Sequence, residues 1–160
     1  MSSFDDAFSI LMVSEGGYSN NPADPGGETM YGVTEKVARK RGYTGAMQDL
    51  PLDKAKEIAK SEYWDVYHCD EFNSHIGFQV FDAAYNGGHP AQWLQTAAGV
   101  EADGDIGPAT IAAVQAADPD KIIMRFDAYR LQYLSNLNSW PNFGRGWVRR
   151  IANNLLAGAA

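Results

Sequence analysis

Apolar residues recur at helical spacing along most of the chain. Phe4, Phe8 and Leu11 fall on one stripe, and Ser3 precedes them where a helix N-cap is expected, so the pattern predicts a helix from residue 3 to about residue 15. Further helices are predicted on the same grounds at 34–42, 52–64, 91–98, 108–117, 118–138 and 144–156.

The segment from Ile76 to Tyr85 is apolar except for Gln79 and Asp82. This pattern favours a buried central helix, although periodicity alone also allows a strand. Strand-like alternation is scarce elsewhere. We therefore predict a mainly α fold, with any sheet small and close to the segment from Gly17 to Thr34.

That segment holds clusters of turn-forming residues, at Asn20-Asn21-Pro22 and at Asp24-Pro25-Gly26-Gly27. A loop of this length within a compact domain is usually functional. The segment that follows the first helix is therefore a candidate functional site.

Composition supports a single globular body. The chain has 160 residues, 45% of them hydrophobic, which suffices for a core, and Cys69 is its one cysteine, so no intrachain disulfide is expected. The net charge is −7, yet residues 121–160 carry six Lys and Arg against Asp127 alone, which leaves −12 on residues 1–120. A basic C-terminal part can face an anionic partner or simply balance an acidic body. Nucleic acid is not expected as a partner.

The N-terminal segment has Asp5 and Asp6 where a signal peptide would carry basic residues, and no apolar run is long enough to cross a membrane. We expect synthesis in the cytoplasm without a signal peptide. If the substrate lies outside, another protein must release this one.

The residues that suggest chemistry are Glu15, where the first helix meets Gly16-Gly17, and Asp24 and Thr29 in the following loop. A glycosidase needs one carboxyl group to protonate the leaving oxygen and a second group to handle water or the developing positive charge. For Glu15 to act as the acid near neutral pH, its pKa must be raised, and packing against Phe8 and Leu11 would provide an apolar setting. The spacing alone is weak support, since such pairs of acids occur by chance.

A longer ordered set of motifs is far more specific. It comprises Glu15-Gly16-Gly17-Tyr18, Asn21 to Thr29, Tyr31 to Thr34, Asp49-Leu50-Pro51, Tyr63-Trp64-Asp65, Phe81 to Gly87, Trp93-Leu94-Gln95, Gly99-Val100 and Asp103 to Thr110. The first part resembles glycoside hydrolase family 108, the N-acetylmuramidases of phage endolysins and secretion-activating proteins. The last part is similar to peptidoglycan-binding modules.

The resemblance implies a lysozyme-like helical fold with a muramidase region at 1–92 and a peptidoglycan-binding-like helical region at 93–160, packed as one body. It implies hydrolysis of the β-1,4 bond between N-acetylmuramic acid and N-acetylglucosamine. Glu15 would be the general acid, with Asp24 and Thr29 holding or activating water. Four residues separate Asp24 from Thr29, one fewer than in phage-type lysozymes, so the chain departs from that pattern at Thr29.

Candidate sugar contacts are Tyr18, Tyr31 and Asn86, since aromatic rings and amides suit pyranose recognition. The position of Asn86 before Gly87-Gly88 is equally typical of a helix C-terminus. Trp64 and Tyr85 are further candidates, and about half of these aromatic residues are expected to fill the core. Glu28 competes with Asp24 for the second acidic role, although a turn residue pointing to solvent is the preferred interpretation.

No metal or organic cofactor is expected. The acidic glycine loop from Glu101 to Gly107 lacks the glycine and glutamate positions of an EF-hand, and the three histidines lack zinc-ligand spacing. The amphipathic stretch from Trp147 to Leu156 favours packing on the core over binding to lipid.

The resulting hypothesis is a monomeric endolysin that hydrolyses bacterial peptidoglycan for host cell lysis and reaches the wall through a holin-type partner. Two alternatives stay open. The first is a lytic transglycosylase, in which the same glutamate works without water. The second is a non-catalytic wall-binding or secretion-accessory protein, in which the loop shapes a glycan groove.

Overall fold

The computed structural model describes residues 3–22 and 26–160, and within them it contains helices and one small sheet. The helices are α1 Phe4–Ser14, α2 Glu35–Lys40, α3 Leu52–Ala59, α4 Ser74–Asn86, α5 Pro90–Ala98, α6 Pro108–Ala116, α7 Pro119–Ser135 and α8 Trp140–Ala159. The strands are β1 Tyr18–Ser19, β2 Thr29–Met30 and β3 Val33–Thr34. This confirms a mainly α, lysozyme-like fold with a small β element beside the loop.

Side chains cap the helices where the sequence predicts them. The Ser3 hydroxyl accepts a hydrogen bond from the Asp6 amide at 3.4 Å and opens α1. Thr34 opens α2 in the same way. Asp118 accepts from the Asp120 amide at 2.9 Å at the start of α7. Each cap satisfies a backbone donor that the first turn of a helix leaves unpaired.

The sheet is an antiparallel meander in the order β1-β2-β3. Met30 lies opposite Val33, so a two-residue turn, Tyr31-Gly32, joins β2 to β3. Both turn residues have positive φ, 52° at Tyr31 and 77° at Gly32, which is the geometry of a type I′ hairpin. The hairpin fixes the position of Tyr31 and Gly32 next to the end of α1.

Helix α4 forms the centre of the core. All residues from Ile76 to Tyr85 are buried, as its apolar pattern predicts. It contacts α1, α5, α7 and α8. The Phe81 ring packs edge-to-face on Phe4 at 5.6 Å and on Trp64 at 5.4 Å between centroids. The N-terminal and C-terminal parts of the chain therefore share one core helix.

Several helix boundaries differ from the predicted ones, among them the C-terminal end of α7, at Ser135 rather than residue 138, and that of α8, at Ala159 rather than residue 156. Helix α3 ends at Ala59 and continues as a π-helical segment, Lys60–Trp64, rather than as α-helix to residue 64. Helix α8 begins at Trp140, not at Gly144, with Pro141 in its first turn. A Cβ at Gly144 would lie 2.5 Å from Trp140 Cδ2. Gly144, which the sequence suggested as a helix start, therefore lies inside the helix and leaves room for the Trp140 ring.

No helix in the described part of the chain combines the length and the apolar character that a membrane span requires.

Candidate active site

Glu15 is the C-terminal cap of α1. Its backbone is extended (φ −91°, ψ 126°), and its amide still donates to the Leu11 carbonyl at 3.0 Å. The chain therefore leaves the helix at this residue, and the carboxylate projects from the helix end with its side chain 16% exposed. A largely enclosed carboxylate that keeps a path to solvent is suited to proton transfer.

The partner of Glu15 is Arg150 of α8, whose Nη1 lies 2.6 Å from Glu15 Oε1. The same guanidinium donates through Nε to Asp82 of α4 at 3.0 and 3.2 Å. Burial acts to lower the pKa of Arg150, but the carboxylates of Asp82 and Glu15 raise it above its usual value, so Arg150 stays charged. The apolar surrounding predicted for Glu15 is thus incomplete, because a buried cation is its nearest charged neighbour.

Behind Arg150 lies a second buried arginine. Arg130 of α7 donates through Nη1 to Asp82 Oδ2 at 2.9 Å, and neither side chain is exposed. Burial raises the pKa of the neighbouring Asp127 to about 7, with the Asp82 charge adding to the rise and Arg130 opposing it. The Gln79 amide, oriented so that its oxygen accepts from His75, donates to both Asp127 oxygens at 3.1 and 3.2 Å. These groups tie α4, α7 and α8 together beneath the site.

The Tyr31-Gly32 turn lies against Glu15 and Tyr85. A Cβ added at Gly32 would fall 2.6 Å from Glu15 Oε2 and 2.6 Å from Tyr85 Cε1, so only glycine fits here. The Tyr85 hydroxyl donates to the Tyr31 carbonyl at 2.7 Å. Burial, and secondarily the Glu15 charge, raise the pKa of Tyr85, which keeps it a neutral hydrogen-bond donor. The hairpin and Tyr85 therefore help to fix the space around the carboxylate.

Tyr18 and Glu28 face each other across the sheet. The Tyr18 hydroxyl donates to the Glu28 carboxylate, and this bond is the main reason that the pKa of Tyr18 is raised. Tyr18 is 40% exposed, which leaves its ring accessible to a ligand. The carboxylate of Glu28 is thus engaged by a neighbouring side chain rather than simply directed to solvent.

Thr29 and Asp24 are the other two predicted catalytic residues. Thr29 lies in the central strand β2, opposite Ser19 of β1 and Thr34 of β3. Asp24 lies outside the described residues. The structure therefore brings Glu15 together with the Tyr31-Gly32 turn through Gly32, and the roles of Asp24 and Thr29 stay predictions.

Asn86 ends α4 and lines two adjoining grooves. The proximal groove, about 420 Å³, lies between α1 and α8 and includes Ser14, Asn153 and Arg150. The distal groove, about 340 Å³, lies between the end of α4, α7 and α8 and includes Tyr133 and Leu137. Both grooves share Asn86, Phe143 and Trp147. Together they extend from the neighbourhood of Glu15 along α8.

Sequence reasoning missed Arg150, Asp82 and Gly32 as parts of the site. A signal for the first two was present, because an acid within an otherwise apolar helix requires a cation, and the C-terminal part is rich in unassigned arginines.

Trp64 proves to be a core residue, 4% exposed. Within residues 3–22 and 26–160, no group of three or more His, Cys, Asp or Glu lies close enough together to hold a metal ion.

Comparison with known proteins gives two family matches along the chain. Residues 8–88 match the model described as glycosyl hydrolase 108, and residues 89–152 match a predicted peptidoglycan domain. No curated protein matches. Among solved structures, SagA of Brucella abortus is similar over 98% of this chain and 93% of its own, with a TM-score of 0.89 and 30% sequence identity. The chain therefore belongs to glycosyl hydrolase family 108 and is a glycoside hydrolase with peptidoglycan as its substrate.

Proposed function

We propose that this protein is an N-acetylmuramidase that hydrolyses the β-1,4 bond between N-acetylmuramic acid and N-acetylglucosamine. The observation that carries the proposal is the setting of Glu15. It is a largely enclosed carboxylate at a helix end, paired with Arg150 and bordered by the Tyr31-Gly32 turn, in a chain of family 108.

In this mechanism the Glu15 carboxyl protonates the glycosidic oxygen as the C–O bond breaks, and the leaving sugar departs as an alcohol. Asp24 assists the attacking water or stabilises the oxocarbenium-like transition state, and Thr29 positions one of them. The water oxygen becomes the new hydroxyl of the muramic acid, and its proton returns to the protein. What supports these assignments is the order Glu15, Asp24, Thr29 in the sequence and the position of Thr29 in β2, the strand that leads into the Tyr31-Gly32 turn.

Product analysis tests the proposal. Purified peptidoglycan is digested with the protein, and the soluble fragments are identified by mass spectrometry after borohydride reduction. We expect reduced muramic acid ends. Reduced glucosamine ends would contradict the bond assignment, and 1,6-anhydro ends would indicate a lytic transglycosylase. Free stem peptides would indicate an amidase, and the absence of fragments from a folded protein would favour a non-catalytic wall-binding role.

We further propose that the protein is a monomeric endolysin, made in the cytoplasm of an infected host and released to the wall by a holin-type membrane protein. Expression in a bacterium with and without a holin tests this setting. We expect lysis only when the holin is present and Glu15 is intact. Lysis without the holin would indicate another route to the wall.

A further inference from the structure

The two grooves that meet at Asn86 form a path along the C-terminal part of the chain, and Arg150, the ion-pair partner of Glu15, lines the proximal one. Ser14 and Asn86 come from the part that matches the glycosidase family, whereas Phe143, Trp147 and Arg150 come from the part that matches the peptidoglycan domain. The groove nearest to Glu15 is therefore built by both parts. An extended ligand that binds at Glu15 is led along this path towards α8.

The distal groove is lined entirely by uncharged residues among those that the structure describes. Phe143 and Trp147 form its aromatic wall, with their ring centroids 5.9 Å apart and their planes inclined by 31°. Flat apolar faces beside a few polar groups are what a pyranose ring requires, since one face of the ring is covered by C–H groups and its edge by hydroxyls.

Two buried polar groups on this path have no partner in the described part of the chain. The Asn86 Nδ2 group is a donor without an acceptor, and so is Arg150 Nη2. A buried donor without a partner costs free energy, so such atoms mark places where a ligand or water completes the hydrogen bonding. Both residues line the proximal groove, and Asn86 also lines the distal one.

The acidic glycine loop from Glu101 to Gly107 is the other candidate surface of the C-terminal part. Its polar groups form hydrogen bonds within the protein. The Gln95 amide donates to the Asp103 carboxylate at 2.7 Å and to the Asp105 carbonyl at 3.0 Å. Its oxygen accepts from the Gly104 amide at 2.9 Å. This loop is therefore held inward by Gln95, whereas the two donors beside the grooves, Asn86 Nδ2 and Arg150 Nη2, are buried and lack a hydrogen-bond partner among the described residues.

We propose that the distal groove is a saccharide subsite that binds an uncharged N-acetylated sugar ring of the glycan strand, beyond the ring held at Glu15. The proposal rests on the muramidase function proposed above. The stem peptides of peptidoglycan carry carboxylates, which an uncharged groove does not attract, whereas the sugar backbone is neutral. The C-terminal part then acts as a section of the catalytic cleft rather than as a separate wall anchor.

The test uses the full chain carrying Glu15→Gln, so that a bound glycan is not cleaved. Its tryptophan indoles are labelled with ¹⁵N, and it is titrated with the tetramer of N-acetylglucosamine, an uncharged β-1,4-linked probe. We expect a saturable shift of the Trp147 indole resonance, while that of the core residue Trp64 stays unchanged. A Trp147 resonance that does not move at millimolar tetramer would overturn the proposal.

A matched pair of variants tests the location in the same Glu15→Gln background. Ser139 lines the distal groove at the start of α8, and its side chain forms no capping bond, so Ser139→Trp fills the groove without removing a cap. Ser135, at the exposed end of α7, receives the same substitution as the control. We expect Ser139→Trp to raise the Kd for the tetramer at least tenfold and Ser135→Trp to change it less than twofold. Equal affinities in the two variants would contradict the assignment.

Two further measurements keep the outcomes separate. A free stem tetrapeptide is expected to leave the Trp147 resonance unchanged, and a shift with this peptide alone would assign the groove to stem peptides and overturn the proposal. The release of reducing ends by the wild-type protein is measured in parallel. Hydrolysis without a Trp147 shift would refute only the subsite, whereas a Trp147 shift without hydrolysis would refute only the proposed function.

Discussion

Glu15 and Arg150 form an ion pair, with 2.6 Å between Oε1 and Nη1, although they come from opposite ends of the chain. Glu15 belongs to the part that matches the glycosidase family, and Arg150 to the part that matches the peptidoglycan domain. The C-terminal part therefore contributes directly to the proposed catalytic centre. Arg150 is itself held by the buried Asp82, so the position of the Glu15 carboxylate depends on the packing of α8 against α4.

Arg150 is expected to act as a positioning residue. Arg150→Met removes the cation that holds Glu15, and because small misplacements of a catalytic group cost on the order of 10²-fold in rate, we expect a loss of about that size in kcat. KM is expected to change less than kcat, and Arg150→Lys is expected to recover part of the rate. Arg145→Met on the exposed surface of α8 is the control, and equal activity of Arg145→Met and Arg150→Met would contradict this role.

Asp82 is expected to be critical for stability, because its carboxylate accepts hydrogen bonds from two buried arginines. Removing one partner of a buried ion pair leaves an uncompensated charge, so Asp82→Asn should lower the free energy of unfolding by about 3–5 kcal/mol in urea denaturation. Asp65→Asn breaks the exposed pair with Lys60, where both side chains are about half exposed, and should cost less than about 1 kcal/mol. Similar losses in both variants would refute the assigned importance of Asp82.

Asp127 is expected to make stability depend on pH. Burial raises its pKa to about 7 from an ordinary 3.8, so the folded state binds this proton more tightly than the unfolded state. The contribution of Asp127 is therefore most favourable below pH 4 and is lost as the pH rises to about 7.

Comparison with Asp127→Asn isolates this contribution, because the amide does not titrate. Unfolding free energies are measured at intervals from pH 4 to pH 8. We expect the variant to gain stability relative to the wild type as the pH rises through this window. Glu101→Gln, at an exposed acid in the loop after α5, should give a curve parallel to that of the wild type. A parallel curve for Asp127→Asn would exclude the shifted titration.

Gly32 is expected to be required for activity more than for folding. Its φ of 77° is strained for any other residue, and a Cβ there would collide with Glu15 and Tyr85. Gly42 has a similar φ of 84° with nothing within 4 Å of its Cβ position, so Gly42→Ala reproduces the backbone strain alone.

We expect each of Gly32→Ala and Gly42→Ala to lower the free energy of unfolding by about 1 kcal/mol through backbone strain. In Gly32→Ala alone, the contact of the new methyl group adds to this loss. Only Gly32→Ala should lose most of the hydrolytic rate, because its methyl group displaces the Glu15 carboxylate, the proposed general acid. Thermal unfolding and the release of reducing ends measure the two effects. Full activity of Gly32→Ala would show that the turn does not constrain Glu15.

Most of the fold could be predicted from local signals. Ser3, Thr34 and Asp118 mark helix starts, and the buried helix α4 follows from its apolar run. The early start of α8 could not be predicted, because the contact between Trp140 and Gly144 becomes visible only once the helix exists. The π-helical segment after α3 carries no recognised sequence signal.

The candidate site was only partly predictable. Glu15 stands out because a helix end, a glycine pair and a long loop meet there in the sequence. Its ion pair with Arg150 could not be derived, since it depends on how α8 lies against α4, and several arginines of the C-terminal part were equally available. The contact of Gly32 with Glu15 likewise depends on the register of β2 and β3, which short strands do not reveal in sequence.

The central claim, that Glu15 carries the hydrolysis, is tested most directly by comparing two glutamate variants on purified peptidoglycan. Glu15→Gln keeps the size of the side chain and removes its proton, so the release of reducing ends should fall by a factor of about 10²–10⁴. Glu28→Gln, whose amide oxygen can still accept from Tyr18, should retain most of the wild-type rate. A folded Glu15→Gln protein with the wild-type rate, or a loss confined to Glu28→Gln, would contradict the account.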